Sequence, residues 1–263
     1  MGTDANRAHR IAVVSGKGGV GKTVITANLA ASLSSSGHRV LVVDADLGLA
    51  NLDILLGVSS DFTLLDVLHG RRTLDEVLIH TEKGFDLMPA GSGLPEGASM
   101  TEVLSEGVQS ILKSVEQKYD VILFDAGAGV GNVVLFFAGL SDEILLIVTP
   151  EPTSLMDSYA TIKILNQLQG RNEFLLIVNQ ADPDCSAQIG DTIVGHLRNV
   201  ISKFLDFNQE KPVRVELIGS IPLDPAIPHA IRQRQLLADI SPDAPVACLI
   251  NNLADILYAH SAC

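Results

Sequence analysis

The sequence predicts an α/β fold in three layers, a mostly parallel sheet of about seven strands with helices on both faces. Three observations carry this. Apolar runs such as Arg39–Asp44 and Glu143–Thr149 are hydrophobic throughout, as strands covered on both faces are. Segments with apolar residues at helical spacing alternate with these runs. A glycine-rich turn joins the first run to the first such segment, and acidic residues end two of the later ones.

The first strand and turn are Ile11-Ala-Val-Val-Ser-Gly-Lys-Gly-Gly-Val-Gly-Lys-Thr-Val24, followed by Ile25, Leu29 and Leu33 at helical spacing. A turn of this kind points successive backbone N–H groups at the N-terminus of a helix, whose dipole favours negative charge, so a polyphosphate fits there. Gly16, Gly18, Gly19 and Gly21 let the backbone approach closely. With Lys22 and Thr23 they match G-x-x-x-x-G-K-T, in which the lysine reaches the β- and γ-phosphates and the threonine hydroxyl faces Mg²⁺. Gly16, Gly18 and Gly21 also satisfy a dinucleotide pattern, with Asp44 at a suitable distance. The Lys22-Thr23 pair has no task in that alternative.

Ser34-Ser-Ser-Gly37 ends the first helix. The second strand ends in Asp44-Ala-Asp46-Leu-Gly-Leu-Ala-Asn51-Leu-Asp53, three acids at the carboxyl end of a parallel strand, where ligands of open α/β sheets bind. A carboxylate beside a γ-phosphate can orient a water for in-line attack. Asn51 and Asp53 read as helix-entry residues.

Two short amphipathic pieces follow, Thr63–His69 and Thr73–Ile79, then a short strand Phe85–Pro89 and a glycine-punctuated loop over 90–97. His69 and His80 lack a partner at metal-ligand spacing and read as surface residues. Helical periodicity over Thr101–Lys118 precedes the strand Tyr119–Asp125, and Asp125 stands where an acid holds Mg²⁺, usually through water. The next strand, Glu143–Thr149, runs into Pro150-Glu-Pro-Thr-Ser-Leu-Met-Asp157 and a helix reaching Leu168.

The strand Glu173–Asn179 ends at Asn179-Gln-Ala-Asp182. An amide here can read a base, being both donor and acceptor, or simply form a turn beside Asp-Pro. The last strand, Val213–Ile221, leads to Pro222-Leu-Asp224, and Asp224 equally suits the N-cap of a helix starting at Pro225. The tail 242–263 carries Val246, Leu249, Ile250, Leu253 and Leu257 at helical spacing.

The 263 residues suffice for one large domain, 1–263, with 1–10 as a flexible N-terminus. A net charge of −13 opposes non-specific attraction to DNA or to an anionic membrane, although Arg232 with Arg234 and the pair Arg71-Arg72 could form local basic patches. Cys185, Cys248 and Cys263 fit no metal or redox spacing. No apolar run is long enough to span a bilayer, and MGTDANRAHR lacks the apolar core of a signal peptide. The expected location is cytoplasmic, with peripheral docking at the inner face of the membrane as the open alternative.

GKGGVGKT resembles the deviant Walker A motif of the MinD/ParA ATPases, and DADLGLANLD resembles their switch I. Asp125-Ala-Gly-Ala-Gly129 is similar to their switch II, except that Ala126 stands where a hydroxyl residue is common. Together with TPEPTSLMDSYA, these stretches are most similar to the FlhG/FleN branch, which controls flagellar number and placement. The resemblance implies a P-loop NTPase-type fold that binds ATP or ADP with Mg²⁺ and forms an ATP-dependent homodimer. It implies slow ATP hydrolysis used as a switch, with protein partners among flagellar regulators or switch and basal-body proteins. Lys17 would reach the partner's nucleotide, and Asp46 would position the attacking water. Lys22 would join them in catalysis, and Asp44 would support the loop lysine and the magnesium shell. The implied nucleotide contacts are Gly16, Lys17, Gly18, Gly19, Val20, Gly21, Lys22, Thr23 and Val24 in the loop, then Asn179, Pro222 and Asp224 around the base. Those facing the metal are Thr23, Asp44, Asp46 and Asp125.

Two departures bear on the resemblance. The tail has neither lysine nor arginine, unlike the basic membrane-docking helix common in MinD-type proteins, so packing against the body of the fold is expected. About ten residues precede the first strand, short of the segment with which relatives stimulate a partner GTPase. The competing functional readings are a nucleotide-bound scaffold with little hydrolysis and a partitioning ATPase that tracks along DNA or membrane.

Overall fold

The computed structural model describes residues 7–46, 52–89, 102–206 and 211–261. Asn51, the loop 90–97, Cys263 and most of the N-terminal segment 1–10 lie outside them. The elements run β1 (His9–Ser15), α1 (Lys22–Ser35), β2 (Val40–Ala45), α2 (Leu52–Leu56), α3 (Leu64–Leu68), α4 (Leu74–Val77), β3 (Ile79–His80), β4 (Asp86–Pro89), α5 (Glu102–Val115) and β5 (Val121–Ala128). They continue with α6 (Asn132–Leu140), β6 (Glu143–Val148), α7 (Pro152–Gln169), β7 (Glu173–Ala181), α8 (Ser186–Phe204), β8 (Arg214–Pro222), α9 (Ala226–Gln233), α10 (Leu237–Ile240) and α11 (Pro245–Ser261).

The sheet order is β3-β4-β2-β5-β1-β6-β7-β8. Every neighbouring pair is parallel except β3 with β4. The seven expected strands are therefore joined by an eighth, antiparallel edge piece where the sequence suggested the end of a short helix. Its cause is local. Leu78 turns extended after α4, and Ile79 pairs with Leu87 through a tight return in which Gly84 has φ +87°.

Alternation along each strand sorts the core into two layers. Ala12, Val43, Phe124 and Leu146 face the layer shared with Leu112, Phe137, Ile162 and Leu197 of α5 to α8. Val13, Val42, Leu123 and Leu145 face the layer shared with Leu29, Leu52 and Leu237 of α1, α2 and α10. The expected tail helix is present as α11, and it packs against the body. Val246, Ile250, Leu253 and Leu257 are all buried in the second layer, and Tyr258 stacks on His38 with ring centroids 3.7 Å apart.

Parity decides where the chemistry sits. Ser15, Asp44 and Asp125 share the face of Val13, Val42 and Leu123, so all three point toward α1 at the carboxyl end of the sheet. Asp44 and Asp125 are direct partners in the β2–β5 register.

Candidate active site

Between β1 and α1 the chain passes through positive φ at Gly19 (+77°) and Gly21 (+94°), conformations open to glycine at no steric cost. Gly21 is the N-cap of α1, so the first N–H groups of a 14-residue helix open onto the loop. Gly16 serves a different purpose, since a Cβ there would collide with the backbone of Asp157 in the first turns of α7. The loop is thereby clamped between α1 and α7.

A cavity of about 860 Å³ opens on this loop. Gly18, Gly19, Gly21, Lys22, Thr23, Val24 and Asp46 line it, together with Asn179, Pro222 and Asp224. The cavity wall omits Gly16, Lys17, Val20, Asp44 and Asp125. Val20 is buried beneath the loop, and Asp44 and Asp125 form the layer below the floor, 2% and 3% exposed.

This floor is electrostatically uncompensated. Burial, followed by the charge of Asp125, pushes the Asp44 carboxyl up to about 7, against backbone N–H donation from Asp46 at 3.2 Å and Leu52 at 3.4 Å. Burial pushes Asp125 up to about 6, although Thr23 and Thr26 hydroxyls hydrogen-bond to it and Lys22 is near. Burial also lowers the proton affinity of Lys22, with Asp125 and Asp46 opposing the fall. A divalent cation is the missing charge in such a site. The side-chain oxygens of Thr23, Asp44, Asp46 and Asp125 are hard donors, the type Mg²⁺ selects. Among the described residues no three His, Cys, Asp or Glu side chains converge into a protein-only cage.

Lys17 points away from this cavity. Its ammonium donates to Glu151 Oε2 and, at 3.2 Å, to Thr153 Oγ1, both at the start of α7. The Lys17 hydrogen bond in turn holds the Glu151 carboxyl below its ordinary range. Asn179 is engaged as well, its Nδ2 donating to the Val20 carbonyl at 2.7 Å. Asp224 accepts from Ala226 N at 2.8 Å, a turn two residues long that leads into α9, while still lining the cavity; the helix starts one residue later than expected, with Pro225 rather than Asp224 as its N-cap. Ala126 is buried in the first core layer.

Other candidates resolve into ordinary contacts. Arg71 pairs with Asp66, and Arg72 pairs with Glu76 while lying 3.8 Å from the centroid of the Phe62 ring. His80 Nδ1 meets Asp86 Oδ1 at 2.7 Å, and His69 Nδ1 meets the Leu65 carbonyl. Arg232 and Arg234, candidates for a local basic patch, are exposed and also line the cavity. Gln180, Leu223 and Ile227 also line it, although no motif marks them. Gln180 has φ +59°, a conformation no sequence pattern announced.

Residues 8–177 match a family model described as an AAA domain. The antiactivator FleN of Pseudomonas aeruginosa is 38% identical over 88% of this chain and 80% of its own length. The flagellum site-determining protein YlxH of Helicobacter pylori is 34% identical over 95% of this chain and 81% of its own. Among solved structures, MinD in the MinC:MinD cell division complex of Aquifex aeolicus superposes with a TM-score of 0.76 at 28% identity, covering 96% of each chain. The septum site-determining protein MinD of Pyrococcus horikoshii, complexed with Mg-ADP, gives 0.70 at 26% identity over 95% of this chain and 96% of its own.

Proposed function

Because the chain belongs to the MinD/ParA family of ATPases, in its FlhG/FleN branch, we propose that it binds Mg-ATP in the loop cavity and closes as a homodimer over two nucleotides. It then hydrolyses ATP slowly, and the lifetime of the closed state is the signal. Relatives named as an antiactivator and as a flagellum site-determining protein support a role in flagellar number or placement. In this role protein partners would engage the ATP-bound form.

The observation that carries the reading is the pair of lysines. Lys22 lines the cavity of its own chain and sits over Asp125 and Asp46. Lys17 lies on the same loop yet faces α7 at the rim. A cation placed there is suited to a second subunit's phosphates, where it would neutralise charge developing on the transferred phosphoryl group.

In the reaction, a water oxygen bonds to the γ-phosphorus as its bond to the β–γ bridging oxygen breaks, leaving ADP and inorganic phosphate. Asp46 accepts a hydrogen bond from that water and orients it, and loop N–H groups with Lys22 hold the β- and γ-phosphates. Thr23, Asp44, Asp46 and Asp125 would hold Mg²⁺, which supplies charge neutralisation at the phosphate oxygens. Asn179, Pro222 and Asp224 would surround the base. Asp46→Ala should abolish phosphate release in a coupled assay while leaving ATP binding intact; turnover at the wild-type rate would remove Asp46 from this role.

A further inference from the structure

We propose that Asn179 is a positioning residue of the phosphate loop, bracing it from β7, so that its loss weakens binding of any polyphosphate whether or not a base is attached. The inference rests on the reading of the cavity as a nucleotide site and assigns one of its residues a different task from base recognition.

The geometry is specific. Asn179 is 6% exposed, and its Nδ2 donates to the carbonyl of Val20, 159 residues earlier, at 2.7 Å. The next loop residue, Gly21, packs against the same group, because a Cβ at Gly21 would collide with Asn179 Nδ2. The last glycine of the loop is thus required twice, for its φ of +94° and for the space the carboxamide fills. The brace also reaches across the sheet. The loop leaves β1, whose neighbours are β5 and β6, whereas Asn179 belongs to β7, one strand further out.

The end of β7 is shaped to make this contact. The β7–β8 register shifts between Asn179 and Ala181, and Gln180 between them has positive φ. A carboxamide has two N–H donors and one acceptor oxygen. With one N–H on Val20, Asn179 holds the carbonyl that shares a planar peptide unit with the Gly21 N–H and so fixes the direction of that N–H. A loop held in its binding conformation before the ligand arrives gives up less freedom on binding. Base reading alone would need neither the contact with Val20 nor the missing Cβ.

Calorimetric titration of the full chain with Mg-ATP, Mg-GTP and Mg-tripolyphosphate separates the two tasks. Asn179→Ala should weaken tripolyphosphate and ATP by the same factor, about fivefold for one buried hydrogen bond, and leave the ATP-to-GTP ratio at its wild-type value. Asn179→Asp keeps the shape, removes the donor and turns an oxygen toward the Val20 carbonyl. It should lose at least as much, and it serves if the alanine variant fails to fold, which thermal melting without ligand reports. Unchanged tripolyphosphate affinity, whether ATP weakens or not, overturns the proposal. Lys22→Ala is the control for the site itself. If that variant retains wild-type affinity for all three ligands, the nucleotide reading fails independently of Asn179.

Discussion

Replacing Asp44 with asparagine removes a buried negative charge while nearly preserving the side-chain shape. Asp44 is 2% exposed and stands beside Asp125 in the β2–β5 register. Its carboxyl is raised from 3.8 to about 7, first by burial and then by Asp125. A folded state that holds this proton more tightly than the unfolded chain loses stability as pH rises from near 4 to near 7. Holding Asp44 ionised at pH 8 then costs about 4 kcal/mol. Asparagine avoids that cost but can replace only one of the two acceptor oxygens facing the Asp46 and Leu52 N–H groups, a loss of about 1 kcal/mol. Without nucleotide and with a chelator present, Asp44→Asn should therefore be more stable than wild type at pH 8 by about 3 kcal/mol, or roughly 6 °C in melting temperature. The advantage should shrink to about 1 kcal/mol or less by pH 5. Thermal denaturation followed by circular dichroism at the two pH values reads both arms. A variant no more stable than wild type at pH 8, or equally stabilised at both, refutes the account of an uncompensated acidic floor.

Two other perturbations bear on separate parts of the molecule. Glu151→Gln weakens the hold on Lys17 at a solvent-exposed pair, so the melting temperature should stay put while the ATP-dependent dimer forms at lower protein concentration in sedimentation velocity. A weaker dimer would mean that Glu151 contributes to association rather than competing for the lysine. Leu257→Ala in α11 empties a fully buried position and should cost about 3 kcal/mol in denaturant unfolding without lipid. A negligible cost would show that the helix is not a fixed part of the core.

The sequence made most of this architecture legible where the determining forces are local. Continuous apolar runs mark β1, β2, β5, β6 and β7 because strands covered on both faces admit few polar residues. The turn from Gly16 to Thr23 is readable because positive φ restricts residue choice so strongly. The short β3 escaped because two residues carry no period, and its pairing depends on β4. The long α8 is less plain, although Ile193, Val194, Leu197 and Ile201 lie on one buried face, because polar residues and two glycines interrupt its apolar spacing. Contacts across the sheet were out of reach altogether. The grip of Glu151 on Lys17 and of Asn179 on Val20 joins residues more than a hundred positions apart, and no spacing rule encodes it. Asp224 lines the cavity, but the helix after it is capped one residue later, at Pro225, because Asp224 uses its carboxylate for the turn leading into α9.

The central claim, that nucleotide closes two copies of this chain into one body, meets its most direct test in light scattering coupled to gel filtration of the Asp46→Ala variant. With Mg-ATP the molar mass should be twice 27.9 kDa, and with Mg-ADP it should return to that of one chain. A single-chain mass under both nucleotides, at concentrations where ATP is demonstrably bound, would contradict it.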